Sequence, residues 1–229
     1  KSLTYTGSAQ DLVTMSGNQG SVYYSTSTAL TSSNYSTSGS TTIPKGTDAG
    51  NYTVYYYCVG NSNYNATSNN LSVSVTIAKK ANPISVTAKS LTYTTAAQAL
   101  VTMSGNQGTV YYSTSTALTS SSGGSTTIPT GTNAGSYTVY YFVAGNSNYN
   151  SKSGSVNVTI ATASIANTTL SLSATSYTYD GNAKTPTVTV KLGSATLTKD
   201  THYTVSYSSN TNAGTGKVTV TAKGSNMTA

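Results

Sequence analysis

The chain has 229 residues and a formal net charge of +7, which comes from eleven lysines and four aspartates. It has no arginine and its lysines are scattered, so we expect no nucleic-acid partner. No segment approaches the roughly 18 consecutive apolar residues of a transmembrane helix, and a single cysteine excludes an internal disulfide.

The opening elements of the chain are repeated further along. Residues 1–6 return at 89–94, and residues 12–20 return almost unchanged at 100–108. The longer segment predicts a strand followed by a glycine-bounded turn. The two copies then differ in length, because residues 34–40 are longer than their counterpart around 121–124. We interpret this difference as a surface loop.

A tyrosine-rich stretch at residues 47–64 returns at 132–149 and, in shorter form, at 211–224. Each copy has Asx-Ala-Gly after its first residue, which predicts a turn because glycine adopts positive φ at little cost and Asx side chains bond nearby amides. The β-branched and aromatic residues that follow predict one long strand. The chain therefore consists of three copies of one unit.

The third copy indicates which face of this strand is buried. Side chains alternate between the two faces, with Val218 and Val220 on one face and Lys217 and Lys223 on the other. The lysine face must contact water, so we predict that the valine face is core. The equivalent core residues are Tyr52, Val54, Tyr56 and Cys58 in the first copy and Tyr137, Val139, Tyr141 and Val143 in the second.

The turns before the first two strands resemble the D-x-A/G-x-Y-x-C corner of immunoglobulin domains. In that family the tyrosine hydroxyl bonds back to the upstream backbone. The resemblance implies a structural role for both corners, although Gly216 replaces the tyrosine in the third copy. The corner residues are Asp48, Gly50 and Tyr52, and Asn133, Gly135 and Tyr137.

The Tyr-Asp-Gly at 179–181 and the Asn-Ala-Gly at 212–214 are similar to bacterial immunoglobulin-like repeats of the MBG/YDG type, and the first two copies resemble the same group. The resemblance covers nearly the whole chain. It implies an all-β fold of tandem immunoglobulin-like β-sandwich domains arranged as an extended rod. In that family such repeats occur in tandem in large extracellular proteins of bacteria, which implies a location on the bacterial cell surface or outside the cell.

We predict three domains, at residues 1–79, 80–162 and 163–229. The first copy has no counterpart of residues 84–88, and the third stops before a closing strand. One edge strand is therefore expected to be missing at each end. A fragment of a longer array would explain this. The alternative is that a neighbouring copy or an adjacent repeat supplies the strands, since open edges template pairing.

We find no pattern that predicts catalysis, a metal site or a cofactor. Glycosidase chemistry needs two facing carboxylates, whereas Asp48 and Asp180 belong to turns and Asp200 has no evident partner. The only histidine, His202, is expected to be a solvated loop residue. Zinc lacks ligands here, and calcium would need carboxylates clustered at short spacing.

The outward face of the tyrosine-rich strands is the one candidate binding surface. Its residues are Tyr55, Tyr57, Tyr140 and Phe142. Aromatic side chains on a hydroxyl-rich sheet could stack on a glycan or bury against a host protein. They could instead act only as cross-strand pairs that stabilise the sheet.

Three functional hypotheses remain open from the sequence. The first is a structural stalk, spacer or filament segment of a bacterial surface protein. The second is an adhesin that grips a glycan or protein through its tyrosine faces or loops. The third is a phage tail or virion decoration module, since immunoglobulin-like repeats also occur there.

Overall fold

A computed structural model describes all 229 residues, Lys1–Ala229. Regular structure is almost entirely β, in several small sheets, which confirms the predicted all-β class. No helix has the length and apolar character that a membrane crossing requires. The chain divides into two compact units, and the division into three domains stays a prediction. The first unit comprises Lys1–Ile84, Gly105–Thr109 and Val143–Lys152; the second comprises Ser85–Ser104, Val110–Phe142 and Ser153–Ala229.

Most strands are short, and the longest are the tyrosine-rich strands and the Val/Ile strands that follow them. The helical segments are α1 (Tyr35–Ser38) and a 3-10 turn at Ile165–Asn167. The strands are β1 (Leu3–Thr4), β2 (Gln10–Asp11), β3 (Val22–Ser25), β4 (Lys45–Gly46), β5 (Gly50–Cys58), β6 (Leu71–Ala78), β7 (Ser85–Ala88), β8 (Leu91–Thr92), β9 (Gln98–Ala99), β10 (Val101–Ser104), β11 (Val110–Ser113), β12 (Thr130–Gly131), β13 (Gly135–Val143), β14 (Lys152–Ala161), β15 (Ala163–Ser164), β16 (Thr169–Leu172), β17 (Val188–Leu192), β18 (Ala195–Thr196), β19 (Tyr203–Ser208), β20 (Lys217–Ala222) and β21 (Met227–Thr228).

The first unit is built on a four-stranded sheet with the order β1-β6-β5-β3, accompanied by the pair β2-β4. Strand β5 runs antiparallel to β6, with Val54 opposite Val73, while β1 pairs with β6 in parallel. Leu12, Val54 and Ile77 are almost completely buried in its core. The inward parity of β5 is confirmed, because Tyr52, Tyr56 and Cys58 pack against this cluster. Burial of these apolar side chains is the main stabilising contribution to the unit.

The second unit contains the sheet β11-β13-β14-β8, apart from the strand ends Val143 and Lys152, and the pairs β7-β10 and β9-β12. The core parity predicted for the second copy is also confirmed. Val139 and Val143 are fully buried, and Tyr141 is nearly so.

The third repeat belongs to the second unit as well. It forms the sheet β16-β17-β18 and the pairs β19-β20 and β15-β21. The parity of β20 matches the prediction, since Val218 and Val220 are half-buried while Lys217 and Thr219 are exposed. Its core is less closed than the others, because β20 pairs only with β19. A cavity of about 390 Å³ lies beside this strand, lined among others by Leu172, Tyr177, Tyr207 and Val218.

One repeated sequence adopts different structures in its two copies. Val-Thr-Met-Ser at residues 101–104 forms β10 and pairs antiparallel with β7, with Met103 opposite Val86. The identical residues 13–16 form no strand. Strand formation here depends on a partner, because a strand needs cross-strand hydrogen bonds and side-chain contacts that the local sequence does not supply.

Candidate binding surface and corner contacts

The outward face of β5 carries Tyr55 and Tyr57, on the opposite side of the sheet from Val54. Tyr55 is half-buried. Tyr57 is only 5% exposed, so the prediction that it is available on an open surface is wrong.

The loop between β3 and β4 covers Tyr57. The ring of Tyr35, in α1, stacks on Tyr57 with a centroid separation of 5.2 Å and an interplanar angle of 17°. Tyr23 packs edge-on against Tyr35 at 4.9 Å, and Leu30 is completely buried. The Asn34 side chain holds the loop, accepting from the Thr31 amide at 2.7 Å. The loop therefore forms a second apolar cluster on the outer face of the sheet.

The second copy keeps more of its outward face open. Tyr140 and Phe142 are half-buried on β13. The corresponding loop around residues 121–124 is shorter and has no aromatic residue like Tyr35, although Leu118 is buried there. The aromatic residues that remain accessible are thus Tyr55 in one sheet and Tyr140 and Phe142 in another. Whether they bind a ligand stays a prediction.

The corner tyrosines make the hydrogen bond that the immunoglobulin resemblance implies. The Tyr52 hydroxyl donates to the backbone carbonyl of Asp48 at 2.8 Å. The Tyr137 hydroxyl donates to the carbonyl of Asn133, also at 2.8 Å. Each ring lies so close to a glycine that a Cβ on Gly46 would stand 2.9 Å from the Tyr52 ring. The two corners therefore have the same packed geometry.

The structure adds a corner contact that the sequence analysis missed. The Asn148 side-chain oxygen accepts from the Ala49 amide at 2.7 Å, and its nitrogen donates to the Asp48 carboxylate at 3.0 Å. One asparagine thus satisfies both the backbone and the side chain of the first corner. Because Asn148 belongs to the loop after β13, a loop of the second repeat is docked on a corner of the first.

The same contact recurs at the second corner. The Asn226 side-chain oxygen accepts from the Ala134 amide at 2.8 Å, and its nitrogen donates to the Asn133 side-chain oxygen at 3.1 Å. Here a loop of the third repeat is docked on a corner of the second. The signal in the sequence was the repeated asparagine, which follows Gly-Asn-Ser in one loop and Gly-Ser in the other.

The segments between repeats pair with the docked loops. The Lys80 amide donates to the Asn148 carbonyl and the Asn150 amide donates to the Lys80 carbonyl, both at 2.9 Å. At the next junction the Ala163 amide donates to the Asn226 carbonyl at 3.0 Å. Asn82, which is 3% exposed, donates to the Gln107 carbonyl at 2.8 Å. Asn82 and Ala163 are buried, so their bonds satisfy polar groups shielded from water and help to hold each linker in place.

His202 lies in a turn, as we predicted, but it is not simply solvated. Its ring is half-buried and lies 2.9 Å from the Tyr93 hydroxyl. The other ring nitrogen, Nδ1, accepts from the Thr198 amide at 2.9 Å. The neutral ring therefore carries its proton on Nε2 and donates to the tyrosine. The histidine has two partners in the protein and is accounted for by structure.

Two lysine–aspartate ion pairs are present, and they are separate from each other. Lys45 lies 2.8 Å from Asp11 and Lys184 lies 2.5 Å from Asp180. Hydrogen bonding to these lysines lowers the pKa of both aspartates below the ordinary range. No group of three or more His, Cys, Asp or Glu side chains is brought together. The interactions at the corners and on the outward faces are therefore hydrogen bonds and aromatic contacts.

Comparison with protein-family models, with curated protein sequences and with solved structures finds no match for this chain.

Proposed function

We propose that this chain is a structural stalk, spacer or filament segment of a bacterial extracellular surface protein and that it has no enzymatic activity. The observation that supports this role is the repeated corner contact. At both junctions an asparagine side chain binds the turn amide of the preceding repeat, and the linker backbone bonds to the same loop. Such contacts resist bending between repeats, which is the property that a spacer needs.

The repeats in this proposal are three immunoglobulin-like β-sandwich domains in tandem, arranged as an extended rod. The composition of the outward faces fits the role. On β6, Ser72, Ser74 and Thr76 are exposed while Val75 and Ile77 are buried. Hydroxyl side chains keep the outer face hydrated without the charge that would attract other macromolecules.

An adhesin is the second candidate function. The half-buried aromatic residues Tyr55, Tyr140 and Phe142 favour it, since they present ring surface on hydroxyl-rich sheets. A flat, partly accessible ring can stack on a sugar or pack against a protein. In that case the corner contacts would serve to display the binding faces.

A glycan-array screen separates the two functions. If the chain is a spacer, we expect the array to retain the wild-type chain no more than the double variant Tyr140→Thr/Phe142→Thr. Glycan retention that is lost in this variant, with its fold intact by circular dichroism, would favour the adhesin. The control is Thr138→Ser on the same strand, which keeps both rings.

NMR relaxation tests the spacer directly. We expect the first two repeats of the wild-type chain to share one rotational correlation time. Asn148→Ala should loosen the junction and separate their correlation times, because it removes both side-chain bonds to the first corner while the backbone bonds of Lys80 remain. Independent reorientation of these repeats in the wild-type chain would contradict a stiff spacer.

A further inference from the structure

The first repeat carries a loop equivalent to the docked ones, but its key residues are free. Asn63 and Tyr64 occupy the positions of Asn148 and Tyr149 in the repeated Gly-Asn-Ser-Asn-Tyr-Asn segment. The Asn63 side chain is exposed and Tyr64 is 55% exposed. The docked Tyr149, by contrast, packs edge-on against Tyr5 with ring centroids 5.4 Å apart.

This free loop already has the hydrogen bonds of a docked loop. The Asn61 side chain accepts from the amides of Asn63 and Tyr64 at 2.8 and 2.9 Å. Asn146 accepts from the amides of Asn148 and Tyr149 at 2.9 and 3.0 Å. Because the free loop is pre-organised, docking it would cost little conformational entropy.

The third repeat has the same Asn-Ala-Gly turn with nothing docked on it, although Gly216 replaces the corner tyrosine and β20 begins only at Lys217. Ala213 is exposed and its amide makes no hydrogen bond, whereas Ala49 and Ala134 are half-buried beneath an asparagine. Tyr179, the counterpart of Tyr5, is 63% exposed. The backbone of this turn matches that of the second docked corner, because Gly214 has a φ of 138° and Gly135 has 148°, whereas Gly50 in the first corner has no positive φ.

We propose that a second copy of this chain binds head to tail, with its loop at residues 61–64 on the third-repeat corner at 212–214. Asn63 would accept from the Ala213 amide and donate to the Asn212 side chain, and Tyr64 would pack against Tyr179. The two surfaces are different, so the contact is heterologous and a bound copy still carries a free surface for the next copy. This inference rests on the proposed structural role and adds to it the identity of the partner, a second copy of the chain.

Sedimentation velocity over a concentration series, under reducing conditions that exclude a Cys58 crosslink, tests the association. We expect the wild-type chain to associate with rising concentration. The loop variant Asn63→Ala/Tyr64→Ser should weaken association by at least about tenfold, because it removes two hydrogen bonds and an aromatic contact. The matched control Ser62→Ala, in the same loop, should associate like wild type.

A mixing experiment tests the direction of binding. The corner variant Tyr179→Ser/Asn212→Ala keeps an intact loop, and the loop variant keeps an intact corner. Each alone should associate at least about tenfold more weakly than wild type, while an equimolar mixture should form a pair that cannot extend. A wild-type chain that stays monomeric at every concentration, or a loop variant that associates like wild type, would overturn the docking. Neither result would decide the spacer role, which the glycan-array and NMR relaxation measurements test separately.

Discussion

The side-chain oxygen of Asn148 lies 2.7 Å from the backbone nitrogen of Ala49, although the two residues are 99 positions apart in the chain. Asn226 and Ala134 stand in the same relationship at 2.8 Å, 92 positions apart. A short polar side chain is suited to this task, because its amide presents an acceptor and a donor at a fixed separation. The repetition indicates a contact built into the repeat unit.

Replacing Asn148 by alanine should lower the free energy of unfolding of the first repeat by about 1 to 3 kcal/mol, because it leaves the part-buried Ala49 amide unpaired. Urea denaturation measures the loss, and hydrogen exchange should show the Ala49 amide opening faster. Ser147→Ala is the control, since the Ser147 side chain makes no hydrogen bond. Equal stability of both variants would contradict the proposed corner contact.

The two tyrosines on the outward face of β5 should respond differently to substitution. Tyr57→Thr should cost about 2 to 4 kcal/mol of unfolding free energy, because it removes a buried ring stacked on Tyr35. Tyr55→Thr should cost less than about 1 kcal/mol, as expected for a partly exposed side chain. Thermal denaturation distinguishes them. Similar losses for both would mean that the loop does not cover Tyr57 in solution.

Residues 13–16 should become a strand when given the partner that their copy has. Placing the sequence of residues 82–88 directly before Lys1 reproduces the order in which β7 precedes Lys89. We expect slower amide exchange at residues 13–16, because Val101–Ser104 forms β10 against that segment. In the control extension, serine replaces the residues that correspond to Ile84 and Val86. Equal exchange with both extensions would show that the segment accepts no strand.

The Tyr112 hydroxyl is buried without a hydrogen-bond partner, so Tyr112→Phe should raise the unfolding free energy by about 1 kcal/mol. Burial also raises the pKa of Tyr112 above the ordinary 10.0. Because the unfolded chain loses this proton first, the wild-type chain keeps its full stability below pH 10.0 and loses stability as pH rises through the folded pKa. The variant should therefore lose less stability in alkaline solution.

Denaturation at neutral and alkaline pH measures both effects. Tyr111→Phe is the matched control, since Tyr111 is the half-buried neighbour on the same strand. A Tyr112→Phe variant that is less stable than wild type at neutral pH would show that the hydroxyl has a partner in solution.

Local patterns were sufficient for the all-β class and for the inward faces of β5, β13 and β20. The reason is geometric: a strand has a side-chain period of two, so one lysine-bearing face assigns the burial of every other residue. The same argument placed Val54 and Val139 in the core, where both are fully buried. It applies to any strand whose two faces differ in polarity.

Contacts between distant segments were decided only by the tertiary structure. Tyr57 has outward parity yet is buried, because α1 and Leu30 lie over it. His202 meets Tyr93 across 109 positions, and identical residues at 13–16 and 101–104 differ because only one copy has a partner strand. Periodicity within a segment assigns the direction of a side chain. What covers that side chain depends on how the chain folds back, which no local pattern encodes.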